Sequence, residues 1–379
     1  MSVDVILVIV VVTALAFDFT NGFHDTANVV ATSISTRAIG PRRAIAIASV
    51  LNFVGAFISL KVADTVGKGF VEVHAVTSTV VYAGLLGAIT WNLMTWYVGL
   101  PSSSSHALIG GLVGSVIAAR GWSAASGSGI LDKLVIPAVV SPLVAFGAAW
   151  LAVVCVYRIV RSVRPGGVSR GFKLGQVVTG AMLALSHGTN DAQKTMGLIT
   201  LALVVSGKLS ASKFHVPIWV VIAAASAISA GTFTGGWRII KTMGTKIISM
   251  DPAQGFVAQT AGAAVILAAS SGGYPLSTTQ VISGGIAGAG AGKRLSAVRW
   301  GVAGEIVIAW LLTLPCAAAV AAVVYAVVQL FGRGDAGPIV LSVVLVIALT
   351  LVFLKARGAR AHGPVPTTVD PSLGKATEA

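Results

Sequence analysis

Long apolar runs separated by short polar segments dominate the chain. Several approach the roughly 20 residues that a helix needs to cross the hydrocarbon core of a bilayer. The clearest runs are 5–17, 44–60, 134–157, 216–231, 300–330 and 337–354. The first run lacks a basic leader and a small-residue cleavage site, so we expect a retained helix and not a signal peptide. The pattern predicts an all-α, polytopic transmembrane bundle.

Composition supports a lipid bilayer as the surrounding medium. The 379 residues are 55% hydrophobic and only 10% charged, and the mean hydropathy is +0.90. A soluble domain of this size needs more charge to cover its surface. The net charge is +14, but 18 of the 26 Lys and Arg lie in five short segments beside apolar runs: 37–43, 158–173, 238–246, 293–299 and the tail from Lys355. This distribution is typical of cytoplasmic loops and does not indicate a nucleic-acid partner.

Two motifs occur twice, in the same order. NGFHDTAN (Asn21–Asn28) is similar to SHGTNDAQK (Ser186–Lys194), and PSSSSHALIGGLVG (Pro101–Gly114) aligns without gaps to PLSTTQVISGGIAG (Pro275–Gly288). We interpret these recurrences as a duplicated unit. The predicted organisation is repeat 1 at 1–157, a basic cytoplasmic linker at 158–175, repeat 2 at 176–330, an additional transmembrane helix at 331–354, and a cytoplasmic tail at 355–379 that we expect to be disordered.

The basic segments also predict the direction of each repeat. If they lie in the cytoplasm, repeat 1 enters the membrane from outside and repeat 2 enters from inside, so the repeats have inverted topology. The N-terminus is then outside and the C-terminus cytoplasmic, in the inner or plasma membrane of the cell. Inverted repeats are typical of alternating-access transporters, whose substrate site lies near the midplane of the bilayer.

An aspartate occupies the same position in each repeat. When Gly22 is aligned with Gly188, Asp25 falls opposite Asp191. A carboxylate near the bilayer centre costs on the order of 3 kcal/mol, so we expect both to be functional. A structural pair that caps broken helices is the alternative. The two glycines predict helices broken at these motifs, with freed backbone groups that line a polar cavity.

Each repeat also carries consecutive hydroxyls between a proline and a following helix. They are Ser103, Ser104 and Ser105 in repeat 1, and Ser277, Thr278 and Thr279 in repeat 2. Hydroxyls and the free N–H groups of a helix start can converge on one anion, so we expect two re-entrant loops that bind an oxyanion. Simple N-capping is the alternative, although one hydroxyl suffices for it. The glycines that follow, Gly114 and Gly288 among them, predict close helix packing.

Four ionisable side chains lie beside these motifs. Lys194 can neutralise Asp191 or contact the substrate. His24, His106 and His187 are candidates for a proton relay, with plain hydrogen bonding as the alternative. The sequence has no motif typical of a tight metal site, of ATP hydrolysis or of a catalytic nucleophile, so we expect neither a resident metal nor an enzyme.

Together these motifs resemble a known family. NGFHDTANVVAT, SHGTNDAQK and the PSSSSH and PLSTT loops are similar to the paired signatures of the PiT inorganic phosphate transporter family, and GWRIIKTMG (Gly236–Gly244) resembles the stretch between them. The resemblance covers roughly residues 10–330. It implies an ion-coupled phosphate symporter built from inverted helical repeats. By position it assigns Asp25, Asn28, Asn190 and Asp191 to the substrate and coupling-ion centre, and Ser103, Ser104, Ser277 and Thr278 to phosphate binding.

The chain departs from the family pattern in ways that affect the coupling ion. His24 replaces the usual asparagine, and Asn52 and Gln259 stand where sodium-coupled members carry glutamates. The resemblance therefore favours the bacterial low-affinity branch, which is proton-coupled and carries phosphate as a neutral complex with a divalent metal such as Mg²⁺. The expected coupling-ion residues are Asp25, Asp191, Asn52 and Gln259.

We predict a secondary active symporter that imports inorganic phosphate with protons. Transport of a metal–phosphate complex, coupling to Na⁺, another oxyanion such as sulfate, and a channel remain as alternatives. We expect no tightly bound cofactor, and a homodimer is left open.

Overall fold

The computed structural model describes residues 3–210, 212, 214–332 and 336–347. In these residues every regular element is a helix, and strand-like pairing is limited to two isolated bridges, Val71 with Ala125 and Ile248 with Val298. The prediction of an all-α, polytopic bundle is therefore confirmed.

Fourteen helices are named in this part of the chain. Those of the predicted first repeat are α1 (Val3–Ser35), α2 (Pro41–Gly55), α3 (Lys61–Lys68), α4 (Ser78–Val98), α5 (Ser104–Arg120), α6 (Gly127–Ile130) and α7 (Ile136–Val160). Those of the second are α8 (Pro165–Val205), α9 (Ile218–Thr234), α10 (Trp237–Lys241), α11 (Pro252–Ser271), α12 (Thr278–Lys293) and α13 (Trp300–Leu330). Within the additional transmembrane helix predicted at 331–354, the structure describes a shorter apolar helix, α14 (Ala336–Ile347), and residues 348–379 lie outside the described residues.

Several of these helices are suited to a bilayer. Within the described residues, Val5–Ser35, Gly127–Val160, Pro252–Ser271 and Trp300–Leu330 are each long and apolar enough to cross a membrane. Ile218–Thr234 and Trp237–Lys246 are long and apolar enough only when taken together, and they meet at a bend of 62°. Large apolar side chains such as Val12 and Leu151 are exposed, and an apolar surface of this kind is expected where a protein meets a membrane.

The helices that carry the two aspartates, α1 and α8, are continuous. This corrects the prediction that they break at Gly22 and Gly188. A Cβ atom at Gly22 would lie 2.3 Å from the carbonyl oxygen of Ile228, and one at Gly188 would lie 2.1 Å from that of Asn52. The glycines therefore permit close helix packing and do not interrupt the helix. The bend in α9–α10 instead occurs at Gly235, whose φ of +74° suits glycine.

Corresponding helices of the two units pack in exchanged pairs. α1 packs on α9, the helix that follows α8, whereas α8 packs on α2, the helix that follows α1. In the same way α5 packs on α13 and α12 packs on α7. At these last two contacts a Cβ at Gly114 would lie 2.3 Å from the oxygen of Ala318, and one at Gly288 would lie 2.1 Å from that of Phe146. The predicted close-packing role of these glycines is confirmed.

Three of the basic segments meet at one end of the bundle. The Tyr157 hydroxyl and the Lys293 ammonium donate to the Asp251 carboxylate at 2.5 and 3.0 Å. Arg299 donates to the carbonyl oxygen of Thr245 at 2.8 Å. Segments 158–173, 238–246 and 293–299 therefore share one side, as expected of segments that face the same compartment.

The helices that precede the two hydroxyl loops run in opposite directions. α4 runs towards the side of Arg238, which donates to the carbonyl oxygen of Tyr97, and ends inside the bundle, where the Thr95 hydroxyl lies 3.2 Å from His24 Nε2. α11 begins at the basic end, next to Asp251, and runs away from it to Ser271, whose carbonyl oxygen accepts from Lys61 Nζ at 2.9 Å. These directions are consistent with inverted repeats.

The predicted linker at 158–175 is mostly helical. α7 continues to Val160 and α8 starts at Pro165, because proline is favoured at the first position of a helix. Gly166, Gly167 and Gly171 face open space, so the beginning of α8 extends beyond the packed bundle.

Candidate functional site

The two aspartates meet inside the bundle, at the tips of the hydroxyl loops. Asp25 lies in the interior of α1 and Asp191 in the interior of α8, and both are buried. The Thr278 hydroxyl, at the start of α12, lies 3.5 Å from Asp25 Oδ2 and 3.4 Å from Asp191 Oδ2. We call this region, formed by Asp25, Asp191, Ser104, Thr278 and Thr279, the paired-aspartate centre.

Asp25 is held mainly by hydrogen bonds from its own helix and from both loops. Its Oδ1 lies 2.6 Å from His24 Nδ1. The same oxygen accepts from Ser104 at 3.3 Å and from Thr279 at 3.4 Å. His24 Nε2 lies 3.2 Å from the Thr95 hydroxyl of α4. Side chains from α1, α5 and α12 therefore converge on one carboxylate, and α4 supports His24.

Asp191 is held by an ion pair with Lys194, one helical turn further along α8. Lys194 Nζ donates to Asp191 Oδ1 at 2.5 Å, to the Ser105 hydroxyl at 2.5 Å and to the carbonyl oxygen of Leu276 at 2.7 Å. An ammonium has three N–H donors, so all of them are engaged. On the other side of Asp191, His187 Nε2 lies 3.3 Å from Oδ2, without hydrogen-bond geometry.

The six hydroxyls divide into two groups. Ser103 and Ser277 cap α5 and α12, since they accept the N–H groups of His106 and Gln280 at 3.1 and 3.4 Å. Ser105 donates to the carbonyl oxygen of Leu276, and so joins the two loops. Ser104, Thr278 and Thr279 remain as the hydroxyls that face the aspartates. Capping therefore accounts for one predicted residue in each loop.

The two predicted asparagines have different surroundings. Asn28 Nδ2 donates to the Thr279 hydroxyl at 2.9 Å, and its buried Oδ1 has no hydrogen-bond partner within the described residues. Asn190 is engaged with the second loop: Nδ2 donates to Ser270 at 2.8 Å, and Oδ1 accepts from the N–H of Leu276 at 3.2 Å. Asn28 thus has a free acceptor at the centre, whereas Asn190 positions the loop and does not face the aspartates.

Asn52 and Gln259 do not form one ion site. Asn52 Oδ1 lies 3.2 Å from His187 Nδ1, beside the paired-aspartate centre. Gln259 Oε1 instead accepts from Thr179 at 2.8 Å, and its amide donates to Thr32 and Ser33 near the end of α1. The two amides therefore belong to separate hydrogen-bond networks.

His106 also lies apart from the centre. Its side chain lines a cavity of about 710 Å³ between α7 and α13, together with Gln280 and Ser283.

One combination of residues could not be found in the sequence motifs. Asp25, His187 and Asp191 each offer a ligand atom, and these three atoms lie within 4.8 Å of one another. The residues come from both repeats, and His187 precedes Asp191 by one helical turn, so a search for sequential metal-binding spacing misses them. Two carboxylates and an imidazole are a ligand set that suits a divalent cation.

The protein is a helical bundle with an apolar outer surface, and its buried polar centre lies where the two hydroxyl loops meet. This combination is typical of a multi-pass membrane transport protein. The family model described as the phosphate transporter family matches residues 21–321. The chain therefore belongs to the phosphate transporter family, which confirms the resemblance seen in the motifs.

Individual relatives agree with this assignment. The chain is 49% identical over 354 residues to a low-affinity inorganic phosphate transporter of Mycobacterium bovis, covering 93% of this chain and 85% of that protein. It is 44% identical over 328 residues to a protein of the same name from Bacillus subtilis, covering 86% and 98%. A solved structure described as the sodium-dependent phosphate transporter is 27% identical with a TM-score of 0.77, covering 86% of this chain and 99% of that one. These names are of transporters and agree with the expectation that the chain is not an enzyme.

Proposed function

We propose that the chain is a secondary active symporter that imports inorganic phosphate with cations. The observation that carries the proposal is the Thr278 hydroxyl between Asp25 and Asp191. It brings one acid from each repeat to the start of a helix, where N–H groups and hydroxyls favour an anion. The family and the names of the relatives support phosphate as that anion.

The charges at the centre require a cation to accompany phosphate. Asp25 and Asp191 are both buried, and the only Lys or Arg side chain that contacts either of them in the described residues is Lys194. Its three N–H donors are already engaged, so none is free for a phosphate oxygen. Phosphate placed beside two carboxylates is repelled at short range. Binding therefore depends on cations that offset this charge, which is the physical basis of coupled transport.

A divalent cation that travels with phosphate fits the same centre. Asp25, His187 and Asp191 provide its ligand atoms, within 4.8 Å of one another. We propose that a metal–phosphate complex, with Mg²⁺ as one candidate metal, binds there as substrate. The free Oδ1 of Asn28 lies beside this centre and can complete the coordination of the metal, while the Ser104 and Thr278 hydroxyls can donate to phosphate.

Protons are the coupling ion that the surrounding residues favour. Asn52 and Gln259 carry no charge, and their carbonyl oxygens are engaged with His187 and Thr179. Neither presents a carboxylate to Na⁺, which prefers oxygen ligands as other hard cations do. Sodium coupling is the second candidate, because the solved relative at 27% identity is described as sodium-dependent.

We propose that the basic end of the bundle faces the cytoplasm. The meeting of segments 158–173, 238–246 and 293–299 at one end supports this orientation through the positive-inside bias. The N-terminus of α1 is then outside and the tail is cytoplasmic, in the inner or plasma membrane.

Uptake of labelled phosphate into proteoliposomes tests the proposal. We expect saturable uptake that is driven by an imposed pH gradient, stimulated by Mg²⁺, resistant to excess sulfate and abolished in Asp25→Asn and Asp191→Asn. Asp64→Asn is the matched control, because Asp64 is an exposed acid that pairs with Lys68 on α3. Undiminished uptake by either centre variant would remove the role assigned to these acids. Uptake driven by Na⁺ and indifferent to pH would favour the second candidate.

A further inference from the structure

A third acid is buried in the bundle outside the paired-aspartate centre. Asp18 lies two turns before Asp25 on α1 and has 0% of its surface exposed. Neither of its carboxylate oxygens has a hydrogen-bond partner in the described residues. Buried carboxylates are normally paired or hydrogen-bonded, so this one calls for a physical explanation.

Two side chains beside Asp18 also have an oxygen atom without a hydrogen-bond partner in the described residues. Asn21, one turn further along α1, and Thr195 of α8 are the polar neighbours of its carboxylate. Both are buried, and Asn21 Oδ1 and Thr195 Oγ1 have no hydrogen-bond partner in the described part of the chain. Four unpartnered oxygens, from one helix of each repeat, therefore share one buried space.

The nearest charges do not neutralise Asp18. Lys194 and Asp191 are the charged side chains that act on it, one by attraction and the other by repulsion. Lys194 donates its three N–H groups to Asp191, Ser105 and the carbonyl oxygen of Leu276, so none is left for Asp18. An ionised Asp18 would thus be a buried charge without a contacting counter-ion, which is strongly unfavourable.

We propose that Asp18, with Asn21 and Thr195, is a second cation site of the transport cycle and takes up one coupling proton. Protonation removes the buried charge. The neutral carboxyl keeps Asn21 and Thr195 as its polar neighbours, and its O–H adds a donor to a group of oxygens that otherwise lacks hydrogen-bond partners. The proton binds from one side of the membrane and is released to the other, with no other bond made or broken.

This inference rests on the proposed phosphate symport and adds a proton to its stoichiometry. Asp18 and Asp25 lie seven residues apart on one continuous helix, so any movement of α1 displaces both acids together. A neutral Asp18 also means one negative charge fewer near the paired-aspartate centre. Loading of the second site thereby favours the negatively charged substrate at the first site.

Proteoliposomes that contain Asp18→Asn test the inference. The amide is close in shape to a protonated carboxyl but cannot bind or release a proton. We expect the variant to keep phosphate exchange between the two sides, which needs no net coupling. Under an imposed gradient of one pH unit, loss of one coupled proton lowers the equilibrium accumulation of phosphate about tenfold. Asp64→Asn is expected to match the wild-type protein in both assays.

Several outcomes distinguish the alternatives. An accumulation ratio in Asp18→Asn equal to that of the wild type would overturn the inference. Loss of sodium-driven accumulation with unchanged pH-driven accumulation would also overturn it, since the bound cation would then be Na⁺. Failure of the wild-type protein to exchange phosphate would instead defeat the proposed function.

Infrared spectroscopy provides a measurement that does not require Asp18→Asn to fold. The wild-type protein is expected to show the band of a buried protonated carboxyl. Thr195→Val removes a hydrogen bond to that group at almost constant volume and is expected to shift the band. A spectrum without such a band, or one unaffected by Thr195→Val, would contradict the proposed proton site.

Discussion

The ion pair between Lys194 and Asp191 offers the sharpest test of how the centre is held together. Both side chains are 1% exposed, and the ammonium lies 2.5 Å from the carboxylate. Lys194→Met keeps an unbranched apolar stem but removes the charge and three donors. Asp191 would then retain only His187 at 3.3 Å and the Thr278 hydroxyl at 3.4 Å.

The magnitude follows from the contacts that are lost. Removal of one partner of a buried ion pair costs about 3–5 kcal/mol, because the other charge stays buried. The hydrogen bonds to Ser105 and to the Leu276 carbonyl add about 1 kcal/mol each. Asp191→Asn keeps those two bonds, so its cost is expected near the lower value. The double variant carries no uncompensated charge and is expected to lose only about 2 kcal/mol, chiefly from the two bonds.

Equilibrium unfolding in mixed micelles, followed by tryptophan fluorescence, measures these free energies. The four proteins form a double-mutant cycle. The costs of the two single substitutions sum to about 8 kcal/mol or more, against about 2 kcal/mol for the double variant, so the coupling energy is expected to exceed the usual upper value of about 3 kcal/mol. Costs of the single substitutions that add within about 0.5 kcal/mol in the double variant would refute the reasoning. The two charges would then stabilise the fold independently, and the Lys194 ammonium would be free to contact phosphate directly.

Three further predictions concern the loop, the helix packing and the basic end. Thr278→Val is expected to raise the KM for phosphate roughly 10- to 100-fold, because it removes a hydrogen-bond donor to charged groups; kinetics with an unchanged KM would contradict this. Gly188→Ala would place Cβ 2.1 Å from a carbonyl oxygen and is expected to destabilise the fold by about 1–3 kcal/mol, whereas Gly147→Ala meets open space and should not. Burial tends to raise the pKa of Asp251, but hydrogen bonds, first from Tyr157, hold that pKa below its usual 3.8. The resulting stabilisation is complete above pH 3.8 and is lost as the pH falls through the lower, folded value; Tyr157→Phe should weaken this dependence in unfolding measured against pH.

The general architecture could be predicted from the sequence because its causes are local. Apolar runs long enough to span a bilayer indicate helices wherever they pack. The duplication is visible as two pairs of similar motifs, and it correctly predicted that Asp25 and Asp191 lie close together. A pair of buried acids at matching positions is costly in lipid, and that cost made them the first candidates for a site.

The details that the sequence left open depend on distances which a sequence does not contain. Gly22 allows either a broken helix or a close neighbour, and the choice is decided by the backbone of α9 at 2.3 Å from its missing Cβ. Ser103 caps α5 while Ser104 faces Asp25, because successive residues at a helix start point about 100° apart. Asn190 matches the family signature, yet its amide holds the Leu276 loop.

The exchanged packing suggests how such a centre can open to one side at a time. Its acids and hydroxyls are buried, so this conformation is closed. The tip of α12 contacts both aspartates through Thr278, while the tip of α5 reaches Asp25 through Ser104 and the Lys194 pair through Ser105. Withdrawal of the α12 tip therefore breaks contacts to both acids, whereas withdrawal of the α5 tip breaks contacts to Asp25 and to Lys194, and each movement leaves the other tip in place. Since the helices that lead to the tips run in opposite directions, we infer that the two withdrawals open opposite ends, and that bound cations set which of them is favourable.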